Sequence, residues 1–256
     1  EPLIPFMVST EGPAMAVGDM NKDGKDDIFF GSAKGFKSAL YIQSENGRFI
    51  LQSQLALDAD SVYEDVDAVW ADFNGDGYPD LVVASGGNEY YGKDEHLLPR
   101  LYLNEGGRKL IRTKAFSNIN ITASSVVAQD FNGDGLIDLF LGGRAVPFAY
   151  GTIPRSYLLI NDGKGNFTDK TIALAPGLAQ VGIIKDAELA DIDGDKDLDL
   201  VLALEWGGII AFSKEKAGYV KKTLTVAKGW WNFIHALDID NDGDMDFVAG
   251  NLGMNS

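Results

Sequence analysis

One acidic phrase occurs five times in this chain, and it constrains the fold more than any other feature of the sequence. It runs Asp19-Met20-Asn21-Lys22-Asp23-Gly24-Lys25-Asp26-Asp27, then Asp72-Phe73-Asn74-Gly75-Asp76-Gly77-Tyr78-Pro79-Asp80, then Asp130-Phe131-Asn132-Gly133-Asp134-Gly135-Leu136-Ile137-Asp138. The fourth is Asp191-Ile192-Asp193-Gly194-Asp195-Lys196-Asp197-Leu198-Asp199, and the fifth is Asp238-Ile239-Asp240-Asn241-Asp242-Gly243-Asp244-Met245-Asp246. A unit of about 50 residues, with insertions of varying length, is therefore repeated along the chain.

Each unit has the same grammar. A short alternating run leads into the phrase, as in Ala68 to Ala71 and Ile234 to Leu237. A β-rich run follows: Ile28-Phe29-Phe30, Leu81-Val82-Val83, Leu139-Phe140-Leu141, Leu200-Val201-Leu202 and Phe247-Val248-Ala249. Glycines break the chain, another apolar run follows, and a turn such as Asn161-Asp162-Gly163-Lys164-Gly165-Asn166 closes a hairpin. Four short strands joined by three turns make one antiparallel sheet. Sheets repeated at this period predict an all-β chain, a β-propeller of four-stranded antiparallel blades. The units span roughly 10–60, 61–119, 120–180, 181–228 and 229–256, with a further N-terminal strand within 1–9, in one domain over 1–256. No stretch of helical length shows a 3.6-residue period.

The phrase places oxygen side chains at positions 1, 3, 5 and 9, and position 7 adds a backbone carbonyl. Hard oxygens at this density suit Ca²⁺, which takes six to eight of them. Zinc is disfavoured because both histidines, His96 and His235, lie outside the phrases. An EF-hand needs Glu at position 12 and flanking helices; here that position is Phe30, Val83, Leu141, Leu202 or Ala249. Asp, Asn and Gly also make plain turns. Five such phrases in frame would nonetheless repel badly without a cation. The net charge of −16 is then largely a signature of up to five Ca²⁺ sites. Position 6 is glycine in four loops and Lys196 in the fourth; a positive φ there strains a non-glycine residue by about 1 kcal/mol.

These phrases, set between strands, resemble the FG-GAP/VCBS repeats, the family of integrin-α-like β-propellers. The resemblance implies a calcium loop between strands 1 and 2 of each blade. It implies metal roles for Asp19, Asn21, Asp23, Lys25 (through its carbonyl) and Asp27, and for Asp72, Asn74, Asp76, Tyr78 and Asp80. It implies the same for Asp130, Asn132, Asp134, Leu136 and Asp138, for Asp191, Asp193, Asp195, Asp197 and Asp199, and for Asp238, Asp240, Asp242, Asp244 and Asp246. It also resembles the large secreted or surface-attached bacterial proteins that string such repeats together, which implies an extracellular, periplasmic or cell-surface location. Five units leave two arrangements open: a ring closed by the N-terminal strand Pro5 to Ser9, or part of a larger propeller. No initiator Met opens the chain, which reads as a piece of a longer parent with flanking domains.

Up-and-down strands put the acidic loops on one face and the 2–3 connections on the other. The longest insertions fall on that second face and carry Tyr90, Tyr91, Arg100, Arg144, Phe148 and Tyr150, joined by Trp206, Trp230 and Trp231. Aromatics with charges on loops are the currency of protein and glycan binding. The expected function is a non-enzymatic, calcium-stabilised module that binds a protein or glycan or acts as scaffold. The alternatives are a carbohydrate-active enzyme or its polysaccharide-binding propeller, with the aromatic face as cleft, and a structural spacer. His96 and His235 make no credible catalytic pair, and no serine-nucleophile motif occurs. The negative charge argues against nucleic acid. The absence of cysteine excludes disulfides and thiol chemistry. No apolar run approaches the roughly 20 residues of a membrane helix. Asn120-Ile121-Thr122 and Asn166-Phe167-Thr168 match glycosylation sequons.

Overall fold

The computed structural model describes residues 11–252. Among these, the first three units each form a four-stranded antiparallel sheet whose spatial order follows the chain, and the four strands of the fourth unit belong to a six-stranded sheet. Sheet 1 holds β1 (Met15–Gly18), β2 (Asp27–Phe30), β3 (Ala39–Gln43) and β4 (Phe49–Gln52). Sheet 2 holds β5 (Asp65–Ala71), β6 (Asp80–Ser85), β7 (Arg100–Glu105) and β8 (Lys109–Arg112). Sheet 3 holds β9 (Thr122–Gln129), β10 (Asp138–Ala145), β11 (Tyr157–Asn161) and β12 (Phe167–Asp169). Sheet 4 holds β13 (Ile183–Ala190), β14 (Asp199–Gly207), β15 (Ile209–Glu215) and β16 (Gly218–Thr223). The expected strand Pro5 to Ser9 lies outside the described residues.

The sheets pack face to face in chain order. Ala16, Phe29 and Leu40 of sheet 1 meet Leu81, Val83 and Tyr102 of sheet 2. The other face of sheet 2, with Val82, Ala84 and Leu101, meets Ala123, Leu139 and Leu141 of sheet 3. Phe140 and Leu158 then meet Ile184, Leu200, Leu202 and Phe212 of sheet 4. The second strands of the two inner sheets are consequently covered on both faces: every residue of β6 and of β10 is buried. That explains why they read as continuous apolar runs, with no alternation for water on either side.

The fifth unit departs from expectation. It is a hairpin of β17 (Gly229–Leu237) and β18 (Asp246–Asn251), and it continues sheet 4 where a separate fifth sheet was expected. Strand β14 pairs with β15 only as far as Ala203 and then runs on, so that Glu205 pairs with Trp230 and Gly207 with Gly229. Trp230 and Trp231, expected with the aromatics of the loop face, are therefore strand residues. Two short helices, α1 (Leu55–Ala59) and α2 (Thr171–Leu174), follow β4 and β12; neither is long enough to register as a periodic pattern.

Two carboxylates fasten neighbouring units at matching positions. Asp67, five residues before Asp72, accepts the backbone N–H of Val126 in sheet 3 at 2.7 Å. Asp186, five residues before Asp191, accepts that of Ile234 in the terminal hairpin at 3.0 Å. Burial pushes the Asp67 carboxyl up to about 7 against two backbone hydrogen bonds, and Asp186 adds repulsion.

Candidate metal centres and the opposite loop face

All five phrases fall in β1–β2-type connections and share one architecture. Position 1 closes the loop on itself. Asp72 accepts N–H groups from Gly75 and Gly77, each at 2.8 Å, and Asp130 accepts them from Gly133 at 2.7 Å and Gly135 at 2.8 Å. Position 3 accepts the position-5 N–H, as Asn74 does from Asp76 at 2.9 Å. Position 5 accepts the position-7 N–H, as Asp76 does from Tyr78 at 2.8 Å. These two-residue spans are Asx turns, which fold the loop back on its own side-chain oxygens. Position 6 is left-handed as expected, including Lys196 at φ 73°. Position 4 is left-handed too, including Lys22 at 61° and Asn241 at 62°, which sequence reasoning missed although glycine fills that position in the other three loops.

Position 9 works inward. Asp27, Asp80, Asp138 and Asp199 are buried. One oxygen of Asp80 accepts from Phe73 at 3.0 Å, and the other accepts from Asn104 of the third strand at 2.8 Å. Asp138 does the same with Phe131 and Asn161, and Asp199 with Ile192 and Lys214. This residue thereby ties the loop to its sheet. Burial pushes the Asp80 and Asp138 carboxyls up to about 6, with further repulsion from the loop carboxylates around them.

In loop 4, Asp191, Asp193 and Asp195 each place an oxygen within 4.8 Å of the others. In loop 5, Asp238, Asp240 and Asp246 do so. In loop 5 position 9 belongs to the group, and one Asp246 oxygen also accepts the Ile239 N–H at 3.0 Å. Oxygens at that separation fit around one ion with 2.3–2.6 Å bonds, and the donor set is entirely hard oxygen, so these residues suit Ca²⁺. In loops 1 to 3 the Asn side chain replaces one carboxylate and donates to position 5, as Asn132 does to Asp134 at 2.8 Å.

Two buried asparagines, absent from the expected site list, lock the loops to their neighbours. Asn104 donates to Met20 of loop 1 and to Pro79 of its own loop, both at 2.9 Å. Asn161 donates to Phe73 of loop 2 and Ile137 of its own loop, also at 2.9 Å. A cue existed: each Asn lies at or next to the end of a third strand, in Leu103-Asn104-Glu105 and Ile160-Asn161-Asp162.

At the opposite ends of the sheets, three units bring aromatics together. Tyr91 and Phe148, both exposed, stand edge to face at 5.7 Å. Tyr150 meets Trp206 edge to face at 5.2 Å, and its hydroxyl bonds Glu205. The Phe148 N–H donates to Asn88 at 3.0 Å, joining the two insertions. Phe148 and Trp206 hold φ of 61° and 60°, conformations that cost a non-glycine residue energy and concentrate at functional sites. Tyr90 stacks on His96 at 4.1 Å with Lys34 above its ring, an internal arrangement.

The two arginines expected on this face are interior. Arg100 is 2% exposed, pairs with Asp65 at 2.7 Å and lies over the Tyr63 ring. Arg144 is fully buried between Glu205 at 2.6 Å and Glu11 at 2.7 Å. A buried guanidinium needs a carboxylate, and both are committed to one. Trp230 donates its N–H to Asn251 at 3.1 Å, and Trp231 packs beside Ile234 in the terminal hairpin's core.

Among known protein families, the FG-GAP-like repeat matches residues 19–83 and 72–141. Each window runs from the first aspartate of one loop to the second strand of the next unit, and together they span just under half of the chain. No curated protein matches the chain. Among solved structures, the V. cholerae biofilm matrix protein Bap1 is similar, at 23% identity and a TM-score of 0.43, over 71% of this chain and 27% of that one. The chain thus spans about a quarter of that protein's length.

Proposed function

We propose that this chain is a calcium-stabilised, propeller-type repeat module that works outside the cell as a binding or scaffolding element, without catalysis of its own. The carrying observation is the recurrence of one loop architecture in five places, with the carboxylates of loops 4 and 5 gathered closely enough to share an ion. In each loop, positions 1, 3 and 5 would hold Ca²⁺ with the position-7 carbonyl and position 9. The ion would cancel the repulsion among the carboxylates and cross-link strands 1 and 2. Extracellular calcium modules have affinities of about 10⁻⁴–10⁻³ M, which suits an external or cell-surface setting. Among the described residues, no helix is long and apolar enough to cross a membrane.

The partner surface in this reading is the aromatic face around Tyr91, Phe148, Tyr150 and Trp206, for a protein or a glycan. Flanking domains of a longer parent would present it. The carboxylates beneath it, Glu205 and Glu11, are paired with Arg144 and Lys185, which favours binding over acid–base chemistry. The test has two arms. Thermal unfolding is compared in millimolar Ca²⁺ and in chelator; an unchanged midpoint would refute the calcium role. A glycan array and a reducing-sugar release assay are then run on the wild type and on Phe148→Ala and Trp206→Ala. Binding lost with the fold intact supports the surface, whereas sugar release would replace the module with an enzyme.

A further inference from the structure

We propose that Lys222, on the last strand of sheet 4, is the built-in counter-charge of loop 4 and sets its calcium affinity; the inference rests on the calcium reading above. Loops 4 and 5 have Asp at position 3 where loops 1 to 3 have Asn. The Asn amide steadies the position-5 carboxylate from within the loop, at 3.0 Å for Asn74 to Asp76 and 2.8 Å for Asn132 to Asp134. Asp193 has no amide to offer, and its carboxylate is held from outside. Lys222 Nζ donates to Asp193 Oδ2 at 2.7 Å, and Ser213 Oγ donates to the same oxygen at 3.0 Å. Lys222 also donates to Ser213 Oγ at 2.9 Å, so the two donors brace each other.

The consequence is a charge balance. Loop 4 has one more ligand carboxylate than loops 2 and 3, and the Lys222 ammonium returns it to their net charge. A cation one carboxylate removed from the shared space of Asp191, Asp193 and Asp195 repels an incoming Ca²⁺ across a few ångströms. Ligand charge count is a main determinant of affinity in such loops. Loop 4 therefore holds its shape without the ion but binds it more weakly than its four carboxylates alone would.

The test replaces Lys222→Gln, which removes the charge and keeps a side-chain amide able to reach Asp193 and Ser213. Calcium is titrated into ¹⁵N-labelled protein, with the amides of Gly24, Gly75, Gly133, Gly194 and Gly243 reporting loops 1 to 5 separately. The expected result is an approximately tenfold tighter Gly194 midpoint, with the other four unmoved. Asp193→Asn alone should weaken the Gly194 midpoint, and the double variant should return it near the wild-type value. A Gly194 midpoint unchanged or weaker in Lys222→Gln overturns the role of Lys222 while leaving calcium binding intact. Silence of all five amides in millimolar calcium would remove the calcium reading, and this inference with it.

Discussion

Asn161→Ala gives the sharpest test of how these units hold together. The side chain is 4% exposed and makes three hydrogen bonds. Nδ2 donates to Phe73 of the preceding unit and to Ile137 of its own loop, both at 2.9 Å, and Oδ1 accepts from Gly163 at 3.1 Å. Alanine removes all three. The Phe73 carbonyl keeps the Gly165 N–H at 3.0 Å, so it loses one bond without being orphaned. At about 1 kcal/mol for each net hydrogen bond, the loss is about 3 kcal/mol. For a chain of this size, that lowers Tm by roughly 6–12 °C. Urea unfolding followed by circular dichroism, in saturating calcium, measures it. The control is Asn166→Ala, whose exposed amide bonds only Asp162 at 2.9 Å and whose loss should cost less than about 0.5 kcal/mol. Asn161→Asp should cost at least as much as Asn161→Ala, because it loses both donated hydrogens and sets a buried carboxylate against the same two carbonyl oxygens. An Asn161→Ala variant as stable as the control would refute the idea that loop-to-loop hydrogen bonds fasten the units.

Lys196→Gly should stabilise the protein by about 1 kcal/mol, because φ is 73° there and only glycine adopts that region freely; calcium titration should show equal or tighter binding at loop 4, and weaker binding would refute the strain argument. Calcium affinity should fall as pH drops below about 6, where the Asp80 and Asp138 carboxyls take up protons; isothermal titration at pH 5 and 7.5 checks it. The metal-free chain should show the opposite trend: these folded-state values lie above the unfolded ones, so their contribution is present at low pH and is lost as pH rises toward 6. Asp67 follows the same sign over a wider window, from about 4 up to about 7, with at most about 4 kcal/mol at stake. Asp67→Asn should flatten that part of the stability–pH curve in urea titrations at pH 5 and 7.5.

Much of the site was legible because its geometry is local. The bonds that shape each loop span two to five residues, as from Asp76 to Asn74 or Gly77 to Asp72, so the order of residues along the phrase dictates them. The apolar second strands were legible too, since burial on both faces leaves an unbroken run such as Leu81-Val82-Val83. The aromatic insertions could be assigned to one face from strand alternation, and Tyr91, Phe148, Tyr150 and Trp206 do meet there. Arg100 and Arg144 could not be separated from them, because an arginine reads as surface until its carboxylate is found. Asp65 is 35 residues from Arg100, and Glu11 is 133 from Arg144.

By itself, the order of residues determined the repeat, the strand-rich units and the tight turns of the acidic loops, because all of these arise from torsions and hydrogen bonds among near neighbours. Tertiary structure decided the rest: the Asn104 and Asn161 locks across 84 and 88 residues, the Lys222 bond to Asp193 across 29, and the joining of the last hairpin to the long end of β14. Those contacts exist only once twisted sheets have stacked and brought distant side chains to one point. No local pattern in the chain encodes where that point falls.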